Sequence, residues 1–555
     1  MTWNLSCPDW DARLRQGRPL VPDLPLYAAE AERAVAVFNK LRLHDVPGTP
    51  TLAEASGDWF RDIVRAIFGS LDPQSGRRLV RELFCLVPKK NSKTTYGALL
   101  MLAALLLNRR PRAKFILTGP THDVAELAFQ AVKGAIDLDP VLEKKLHVRD
   151  HLKRIEHRNS GAVLEIMTFD PAVLTGQKPA GILIDELHVS AKMSKAASAL
   201  RQLRGGMYAV PEAFLAFITT QSEEAPVGVF RAELQKARAI RDGRQTGAML
   251  PVLYEFPEAI QRDRLAWRDP RNWPMVTPNL GRSLTIPVLE EGMADAEAKG
   301  DAEFRAWASQ HLNVEIGLAL RSDGWAGAEE WEAAADETLQ DLPELLARCD
   351  VATIGIDGGG LDDLLGLAVI GRERETRRWL IWNRAFAHPV VLERRKDIAS
   401  RLREFAMDGD LVIVDRIGQD IDQVCDVCAE VRDSGLLPEK AAIGLDPVGV
   451  GALVDALAER GMCDPQVVGV PQGWTLSGAI KTVERKLADG TAVHAGQPLM
   501  NWCVGNAKAE PRGNAVTITK AAAGSAKIDP LVAIFDAATL MAKNPSAAAF
   551  EFTGI

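Results

Sequence analysis

The sequence predicts an α/β protein with two units, the first built on a parallel, doubly wound sheet and the second opening on an antiparallel meander. Three observations predict this. The 555 residues are enough for two to four domains at about 150 residues each. Strand-like runs alternate with helical stretches from Leu79 to Ser222, as in parallel sheets. Three successive strand-like runs then begin at Val351, which is typical of a meander.

Composition places the chain among ordinary globular proteins. Hydrophobic residues make up 47% and charged residues 25%, which excludes disordered and collagen-like classes. The longest apolar stretch, Ala98–Leu107, is shorter than the roughly 18 residues of a membrane span, and no signal peptide is visible. Seven scattered cysteines favour reduced thiols. We therefore expect a soluble, cytoplasmic protein with no membrane partner.

The first unit is predicted to contain a regular series of strands and helices. Helices are expected at Thr94–Leu107 and Val124–Leu138. The predicted strands are Leu83–Val87, Lys114–Thr118, Ala162–Met167, Gly181–Asp185 and Phe214–Thr219. We expect residues 1–50 to form a lead-in and residues 51–340 to form this domain, with helices and long connections over 225–345.

The second unit is predicted to span residues 346–555, after a linker around Gly324–Pro343. Its meander comprises Val351–Asp357, Leu364–Gly371 and Arg378–Ala385. Later elements are a helical stretch at Val390–Met407, a strand at Ala441–Asp446, and helices at Gly449–Arg460 and Ile528–Met541.

A phosphate-binding loop is predicted between the first strand and the first helix of the sheet. The segment Leu83–Thr95 runs from an apolar strand through a polar loop into a helix, so that backbone N–H groups and the helix N-terminus face one point. Lys93 would reach the β- and γ-phosphates, and the Thr94 hydroxyl would bind Mg²⁺. Val87 and Ser92 stand where the motif has glycines. A basic turn at a helix start is the plain alternative.

Two further strand ends support ATP hydrolysis. The strand Gly181–Asp185 ends in two acids: Asp185 can hold Mg²⁺ through water, and Glu186 can deprotonate the attacking water. The strand Phe214–Thr219 ends in hydroxyl and amide groups, and Thr220 can sense the γ-phosphate there. Three strand ends in this order, the first followed by a phosphate loop, the second by two acids and the third by hydroxyl and amide groups, predict an ATPase. The nucleotide-binding residues are expected to be Lys89, Lys90, Asn91, Ser92, Lys93, Thr94, Thr95, Asp185 and Thr220.

The second unit carries three acids on separate elements. Asp357 ends one strand, Asp446 ends another, and Asp529 opens the last helix. Converging carboxylates suit Mg²⁺ or Mn²⁺, and two such ions can support phosphodiester cleavage. The plain alternatives are a turn at the Asp446–Pro447 step and a helix cap at Asp529.

Two other groups are predicted to be structural. Cys425 and Cys428 lie in a helical pattern with no second pair, which favours core packing over zinc or redox chemistry. His494 is expected in a structural turn, with a place beside the metal site as the alternative.

These motifs resemble the large terminase subunits of tailed bacteriophages. Pro88–Thr94 resembles the family's deviant Walker A motif, Ile184–His188 its Walker B motif and Phe217–Thr220 its coupling motif. In the second half the matching segments are Val470–Trp474, Thr475–Ser477, His494–Pro498, Trp502–Asn506 and Lys527–Asp529. The resemblance implies a P-loop ATPase domain followed by a ribonuclease-H-like nuclease domain, with Asp357, Asp446 and Asp529 on the nuclease's acidic positions.

The chain departs from the family pattern at a few positions. Ser92 replaces a glycine, and Trp59-Phe60 stands where many members have Trp-Gln, the glutamine that reads adenine. Asp357-Gly-Gly-Gly replaces Asp-x-Ser, which leaves Asp362 or Asp363 as candidate extra ligands. Lys89 and Lys178 are the candidates for the arginine finger.

The family's role implies ATP and Mg²⁺ as cofactors, with two ions in the nuclease site, where Mn²⁺ can substitute. It implies double-stranded DNA, a prohead portal protein and a small terminase subunit as partners of a homo-oligomeric ring, most simply a pentamer. The expected location is the host cytoplasm and transiently the portal vertex, outside the mature virion. Because the net charge is −8, DNA must meet local basic patches. The candidates are Arg262–Arg271 and the group Lys481, Arg485 and Lys486, with solvated charged helices as the alternative.

Three alternatives compete with this interpretation. The first is a P-loop translocase or helicase without nuclease activity, which the lack of helicase-like arginine motifs after Thr220 disfavours. The second is a sugar-kinase or actin-like domain over residues 351–555, disfavoured because no second glycine-rich turn lies near Asp446. The third is a motor subunit whose nuclease acids are inert.

Overall fold

The computed structural model describes the chain in two compact units, Met1–Ile316 and Gly317–Ile555. The described residues are 3–170, 174, 178–191, 193, 196–223, 226, 228–315, 325–396, 398–513, 515–520 and 527–548. Over these ranges, no helix combines the length and the apolar character that crossing a membrane requires.

The first unit contains an eight-stranded sheet in the described part of the chain, ordered β3-β4-β5-β2-β6-β7-β1-β8. Its strands are β1 Glu82–Leu86, β2 Lys114–Gly119, β3 Leu146–Arg149, β4 Arg154–His157, β5 Val163–Thr168, β6 Gly181–Asp185, β7 Phe214–Thr219 and β8 Met249–Leu253. From β5 to β8 all neighbours are parallel, which confirms the predicted sheet. The edge pairs β3–β4 and β4–β5 are antiparallel and were not predicted, because β3 and β4 are only four residues long and most of their side chains are polar and not fully buried.

Helices surround this sheet. The first part of the unit contains α1 Trp10–Arg15, α2 Ala28–Lys40, α3 Leu52–Ala55, α4 Asp58–Gly69, α5 Lys93–Leu107, α6 His122–Asp137 and α7 Pro140–Lys145. The second part contains α8 Leu187–Ser190, α9 Ala196–Met207, α10 Gly228–Arg241, α11 Glu258–Arg262, α12 Arg264–Arg268, α13 Ile286–Lys299 and α14 Asp301–Leu312. Short 3₁₀ turns occupy Asp150–Leu152 and Trp273–Met275.

The central helix of this unit, α5, is apolar on nearly every side. It is buried from Tyr96 to Leu105 because it lies between the sheet and the outer helices. The chain before residue 50 belongs to the same unit: Phe38 of α2 stacks on Phe60 of α4 with ring centroids 5.6 Å apart. The lead-in is therefore a packed part of the first unit.

The second unit is built on a seven-stranded sheet, counted over the residues described. The order is β12-β11-β10-β9-β13-β14, with β15 paired to β11. The strands are β9 Cys349–Gly358, β10 Leu365–Glu373, β11 Trp379–Ala387, β12 Leu411–Ile413, β13 Ile443–Leu445, β14 Val467–Gly469 and β15 Ala492–His494, and a separate hairpin pairs β16 Ala507–Arg512 with β17 Ala515–Lys520. The antiparallel pairs β9–β10 and β10–β11 confirm the predicted meander.

The helices of the second unit cover both faces of its sheet. They are α15 Ala328–Trp331, α16 Leu342–Arg348, α17 Val390–Arg394, α18 Ala399–Met407, α19 Gln419–Asp433, α20 Gly451–Glu459, α21 Ser477–Ala488, α22 Pro498–Asn506 and α23 Asp529–Met541, with 3₁₀ turns at Glu332–Ala334 and Gly473–Leu476. The last helix lies directly on β9, because a Cβ atom at Gly355 would collide with the backbone of Ala533 and Ala537. Only glycine permits this close approach, which sets the position of Asp529.

The segment expected to be a linker packs into the second unit. Trp325 and Trp331 are buried in the core of that unit, and the Trp325 ring meets Phe535 edge-on at 5.3 Å. The structure thus divides the chain between residues 316 and 317, whereas the sequence predicted a second unit that begins at residue 346, after a linker. The expected linker is rich in alanine and acidic residues and has no clear helical or strand pattern, so nothing in the sequence indicated that its two tryptophans are buried.

Candidate active sites

The first candidate site lies at the carboxyl ends of β1, β6 and β7, where the loop after β1 turns into α5. Ser92 adopts a left-handed conformation with φ of 58°. This conformation is costly for a residue with a Cβ atom and persists where neighbours enforce it. Here Asn279 does so: its side-chain amide donates to Ser92 Oγ at 3.4 Å, and its backbone N–H donates to Asn91 Oδ1 at 2.9 Å. Ser92 can therefore replace the glycine of the motif.

Asn91 holds the loop from within. Its side chain is fully buried, and its amide donates to the carbonyl oxygens of Pro88 at 3.1 Å and Lys89 at 3.3 Å. The side chain is thus committed to holding the loop. Thr95 lies half-buried in the first turn of α5.

The side chains of the three strand ends meet as the sequence predicted. Lys93 Nζ lies 2.9 Å from Glu186 Oε1, and Thr94 Oγ1 donates to Asp185 Oδ2 at 2.5 Å. Burial raises the pKa of Asp185 to about 7, with the charge of Glu186 adding to the effect. Burial also acts to raise the pKa of Glu186, but the charges of Lys93 and then His188 outweigh it and hold that pKa below its usual value. Glu186 is thus an ionised carboxylate next to a protonatable one.

A histidine that the sequence left without a role orients Glu186. His188 Nδ1 lies 3.3 Å from Glu186 Oε2 and 3.1 Å from Thr219 Oγ1. Thr220 Oγ1 donates to the same Glu186 oxygen at 3.2 Å. The end of β7 therefore contacts the candidate base directly. The only indication of this role in the sequence is that His188 follows Glu186 by two residues.

A hydrogen-bonded chain connects the loop to the end of α14. Lys89 N–H donates to the Gln310 carbonyl at 2.7 Å, and the Gln310 side-chain amide donates to the Gln221 carbonyl at 2.8 Å. Gln221 N–H donates in turn to Asn313 Oδ1 at 3.0 Å. The loop after β1, the end of β7 and α14 thus form one connected structure. No signal for these bonds was visible in the sequence, because Gln310 and Asn313 lie in an ordinary helical pattern.

A cavity of about 400 Å³ adjoins the same loop. Lys89 and Lys90 line one side, and residues of α13 and α14 line the other. Trp307 and His311 stack there with ring centroids 5.6 Å apart. Within the residues described, the buried Gln310 Oε1 has no hydrogen-bond partner.

Phe60, which stands where many family members have the adenine-reading glutamine, lies in the core of the first unit. Phe60 is fully buried and packs on Phe38 and Tyr96, so it cannot face a nucleotide base. Of the two arginine-finger candidates, Lys178 is exposed just before β6, and Lys89 Nζ lies 3.9 Å from Glu223.

The second candidate site lies at the ends of β9 and β13. These strands are parallel, and Leu445 pairs with Ile356, so Asp446 and Asp357 follow at neighbouring positions. Asp529 opens α23 beside them: a Cβ atom at Gly358, whose φ is 87°, would lie 2.9 Å from Asp529 Cβ. The structure therefore brings together the three acids that the sequence selected.

The electrostatics of these acids indicate a site for cations. Burial raises the pKa of Asp357 to about 7, with further contributions from the charges of Asp529 and Asp446. Burial also raises the pKa of Asp529 to about 6, aided by the neighbouring Asp363. Asp529 Oδ2 is buried and has no hydrogen-bond partner among the described residues. Carboxylates crowded in this way are relieved by a bound divalent cation.

The three carboxylates of the second site lie near one another but do not yet surround a single ion-binding position. Over the described ranges, no group of three or more His, Cys, Asp or Glu side chains lies close enough together to hold an ion as it stands. The carboxylates nonetheless fit such an ion chemically, because they are hard oxygen donors with an unused buried lone pair at Asp529. Asp357, Asp446 and Asp529 are the residues that would hold it.

The other acids of the segment pair with basic side chains. Asp363 Oδ1 accepts from Lys527 Nζ at 2.6 Å, and its Oδ2 lies 3.3 Å from Lys520 Nζ. Asp362 lies 3.3 Å from Arg395. That Asp362 and Asp363 act as extra metal ligands stays a prediction. In this structure both carboxylates are paired with lysine or arginine side chains.

A fourth acid behind the site was missed. Asp536 is fully buried, about two turns after Asp529 on the same side of α23, and its Oδ1 accepts from Gln472 Nε2 at 2.9 Å. Burial raises the pKa of Asp536 to about 8, and the charges of Asp357 and Asp446 add to this. The only signal was its spacing of seven residues from Asp529, which places both on one side of a helix.

The remaining candidate residues of the second unit are structural. His494 is buried, stacks on Trp331 at 4.0 Å and accepts from the Gly496 N–H at 3.0 Å through Nδ1, and burial lowers its pKa to about 4. Cys425 and Cys428 are buried free thiols within α19, as predicted.

The two predicted basic stretches are partly engaged within their own units. Arg268 pairs with Glu297 and, like Arg264, lies over the Phe304 ring. Lys486 Nζ lies 4.7 Å from the centre of the Trp379 ring. Arg485 is exposed on α21.

Comparison with known proteins agrees with this arrangement. The family model of the terminase large subunit ATPase domain matches residues 58–234, and that of the terminase large subunit endonuclease domain matches residues 255–544. Protein YmfN of Escherichia coli (strain K12) is 24% identical over 253 residues, which are 43% of this chain and 52% of that protein. The chain thus matches about half the length of this relative.

Solved structures of similar proteins include two large terminases. The HK97 bacteriophage large terminase is 16% identical, with a TM-score of 0.44 over 92% of this chain and 99% of that one. A large terminase from a thermophilic bacteriophage, in complex with ADP, is 12% identical, with a TM-score of 0.31 over 86% and 96% of the two chains. Because the endonuclease model alone matches more than half of the sequence, the chain belongs to the terminase large subunit family, with a P-loop ATPase domain and a ribonuclease-H-like nuclease domain.

Proposed function

We propose that this chain is the motor and cutting subunit of a viral DNA-packaging machine. ATP hydrolysis in the first unit drives double-stranded DNA into a prohead, and the second unit cuts concatemeric DNA at the start and end of packaging. The observation that carries the proposal is the presence, in one chain, of a Lys93–Glu186 pair at a phosphate loop and of three converging acids on a second sheet.

In the first unit, Lys93 and the loop backbone bind the phosphates of ATP, and Thr94 with Asp185 holds the nucleotide's Mg²⁺. Glu186 is the base that orients and deprotonates the attacking water. Thr220 links the base to the end of β7, since its hydroxyl donates to Glu186 at 3.2 Å. Loss of the γ-phosphate can therefore change the position of Glu186 and, through Thr220, the end of β7.

In the second unit, Asp357, Asp446 and Asp529 hold two Mg²⁺ or Mn²⁺ ions, which supply charge stabilisation for phosphodiester cleavage. The chain itself contributes the alignment: β9 and β13 fix two of the carboxylates side by side, and the glycine at 358 admits the third.

The proposed partners follow from this role. Double-stranded DNA meets local basic groups, since the chain as a whole is acidic. A portal protein, a small terminase subunit and a pentameric ring of this chain complete the machine, which works in the host cytoplasm at the portal vertex.

Plasmid cleavage tests the nuclease part of the proposal. The purified chain should cut supercoiled plasmid in Mn²⁺, and Asp446→Asn should lower the rate by at least about 10²-fold, because one carboxylate of the site is lost. The matched control is Asp455→Asn, an exposed acid on the nearby α20, which should cut as the wild type does.

A wild-type chain that hydrolyses ATP and moves along DNA but never cuts it would instead favour the translocase without nuclease activity. Duplex binding should also weaken steeply with salt and depend little on sequence. A flat salt response would count against the proposed phosphate contacts.

A further inference from the structure

Lys520 stands out among the basic side chains around the second site because it contacts two of its acids at once. Its ammonium lies 3.4 Å from Asp529 Oδ1 and 3.3 Å from Asp363 Oδ2. The residue is the last of β17, at the end of the hairpin opposite Ala507. It is therefore carried by an element that contributes none of the three converging acids.

Lys527 provides a contrast within the same site. It is 2% exposed, and it donates to Asp363 Oδ1 at 2.6 Å and to the Asp362 carbonyl at 2.9 Å. Such short bonds in a buried setting fix its position. The Lys520 side chain is 36% exposed and its contacts are longer. Lys527 is thus a structural lysine, whereas the Lys520 ammonium can exchange its partners.

Asp529 has an unequal environment around its two oxygens. Oδ2 is buried without a hydrogen-bond partner among the described residues, and Oδ1 faces Lys520. A divalent cation on Asp529 and the ammonium of Lys520 compete for the same negative charge, since both are attracted to that carboxylate. Binding of a divalent cation must therefore weaken the ion pair between Lys520 and Asp529.

The hairpin can accommodate such a change. It is a two-stranded sheet with half-exposed side chains, and isolated two-stranded ribbons are only marginally rigid. Val516 N–H donates to Ser477 Oγ at 2.9 Å, which ties the ribbon to the start of α21. Lys508 and Arg512 on β16 keep the ribbon basic, so it suits a position beside a DNA phosphate.

We propose that Lys520 is a charge-exchange residue of the endonuclease centre. Its ammonium balances Asp529 while the carboxylate has no divalent cation, and turns to the DNA phosphate once a cation takes the carboxylate. This rests on the nuclease role of the second unit but not on packaging or translocation. No bond is made or broken by Lys520, and its effect is electrostatic.

The test measures Mn²⁺ binding and DNA binding separately from cleavage. In full-length Lys520→Met, calorimetric Mn²⁺ affinity without DNA should rise about two- to fivefold, the range that a partly exposed ion pair contributes. Affinity for duplex DNA in Ca²⁺ should fall, and the cleavage rate at saturating Mn²⁺ should fall by about tenfold. Lys520→Arg should restore most of the DNA affinity and the cleavage rate.

The matched control is Lys508→Met, on the other strand of the hairpin, which should leave Mn²⁺ affinity unchanged. Unaltered or weaker Mn²⁺ binding in a folded Lys520→Met chain would overturn the proposal, as would full cleavage at saturating Mn²⁺. If Lys520→Met loses its thermal transition, Lys520→Gln replaces it in the same measurements. A wild-type chain that binds Mn²⁺ but cuts no DNA would instead overturn the nuclease role itself.

Discussion

The two candidate centres of this chain both bury acids at the ends of strands, yet they balance the charge differently. In the first, Lys93 lies against Glu186 and Thr94 donates to Asp185, so each acid has a partner from the phosphate loop. In the second, Asp357 and Asp529 face one another and their pKa values rise to about 7 and about 6. The first centre thus pairs its base with a buried lysine, whereas in the second only the half-exposed Lys520 offsets Asp529, and divalent cations from solution are needed to complete the balance.

This difference determines how each centre responds to its ligand. A centre whose acids are paired keeps its geometry without ligand, and the nucleotide must displace the Lys93–Glu186 contact to use it. A centre whose acids are only partly balanced retains repulsion that a divalent cation relieves, so metal binding and the stability of the unit are linked.

The largest effect is expected from the choice of domain boundary. A fragment of residues 317–555 should fold cooperatively and bind Mn²⁺ without ATP, because it keeps Trp325 and Trp331 in its core. A fragment of residues 345–555 lacks both rings, and losing a buried tryptophan costs about 3–5 kcal/mol. Circular dichroism melting compares the two. Equal melting temperatures would show that the boundary lies later and that the tryptophans are dispensable.

Glu186→Gln should remove turnover from the first centre while sparing the second. The ATPase rate should fall by about 10²–10⁴-fold, because the side chain can no longer accept the proton of the attacking water. Nucleotide binding should persist, since Lys93 and the loop remain. Steady-state hydrolysis and fluorescent-nucleotide binding measure this, with the exposed Glu143→Gln on α7 as the control. Normal hydrolysis by Glu186→Gln would mean that another group is the base.

His188→Ala should have an intermediate effect on the same reaction. The imidazole lies 3.3 Å from Glu186 and 3.1 Å from the Thr219 hydroxyl, so it positions the base without touching substrate. Turnover should fall by about 10- to 100-fold, as small misplacements of a catalytic group do. His188→Asn, which can keep one hydrogen bond, should recover part of the rate. A rate unaffected by either variant would show that Lys93 and Thr220 suffice to hold Glu186.

The smallest expected effect concerns pH and the stability of the second unit. Asp536 has a pKa of about 8 in the folded chain, well above that of an exposed acid. Its proton is kept on folding, so the folded state is favoured at low pH and loses stability as pH rises from about 4 to about 8. Asp536→Asn keeps an oxygen for Gln472 and removes this dependence. At pH 8 in chelator it should be more stable than the wild type by at least about 1 kcal/mol.

Urea unfolding at pH 5 and pH 8 measures this difference. The wild-type curve should shift to lower urea at pH 8 more than the Asp536→Asn curve does. Parallel shifts in the two proteins would place the pH dependence on the other acids of the site.

The sequence predicted the first centre well because its chemistry lies in short, continuous segments. Strand, loop and helix follow one another through Lys93 and Thr94, and Asp185 and Glu186 are adjacent at a strand end. Because parallel strands bring their carboxyl ends to one edge, local motifs suffice to assemble the site. What could not be predicted was the support from distant positions such as Asn279, whose backbone and side chain hold the strained loop.

The second centre shows the limits of local patterns. Asp357, Asp446 and Asp529 were selected because each ends or opens an element, but Asp536 lies inside an apolar helix with no local signature. Lys520 reaches Asp529 from a half-exposed hairpin whose alternating pattern was too weak to predict. The packing of the two linker tryptophans into the core likewise depends on residues far away in the sequence. These features depend on tertiary packing, which sequence periodicity does not record.

The most direct test of the contrast between the two centres is calorimetric titration of the full-length chain with Mn²⁺ at pH 7, in two buffers that differ in ionisation enthalpy. We expect binding with net release of protons, because Asp357 and Asp529 are partly protonated near this pH. Asp446→Asn should weaken this binding sharply, and Lys93→Ala should leave it unchanged. Identical heats in the two buffers, or binding that survives Asp446→Asn and is lost in Lys93→Ala, would contradict a metal centre of partly balanced acids in the second unit.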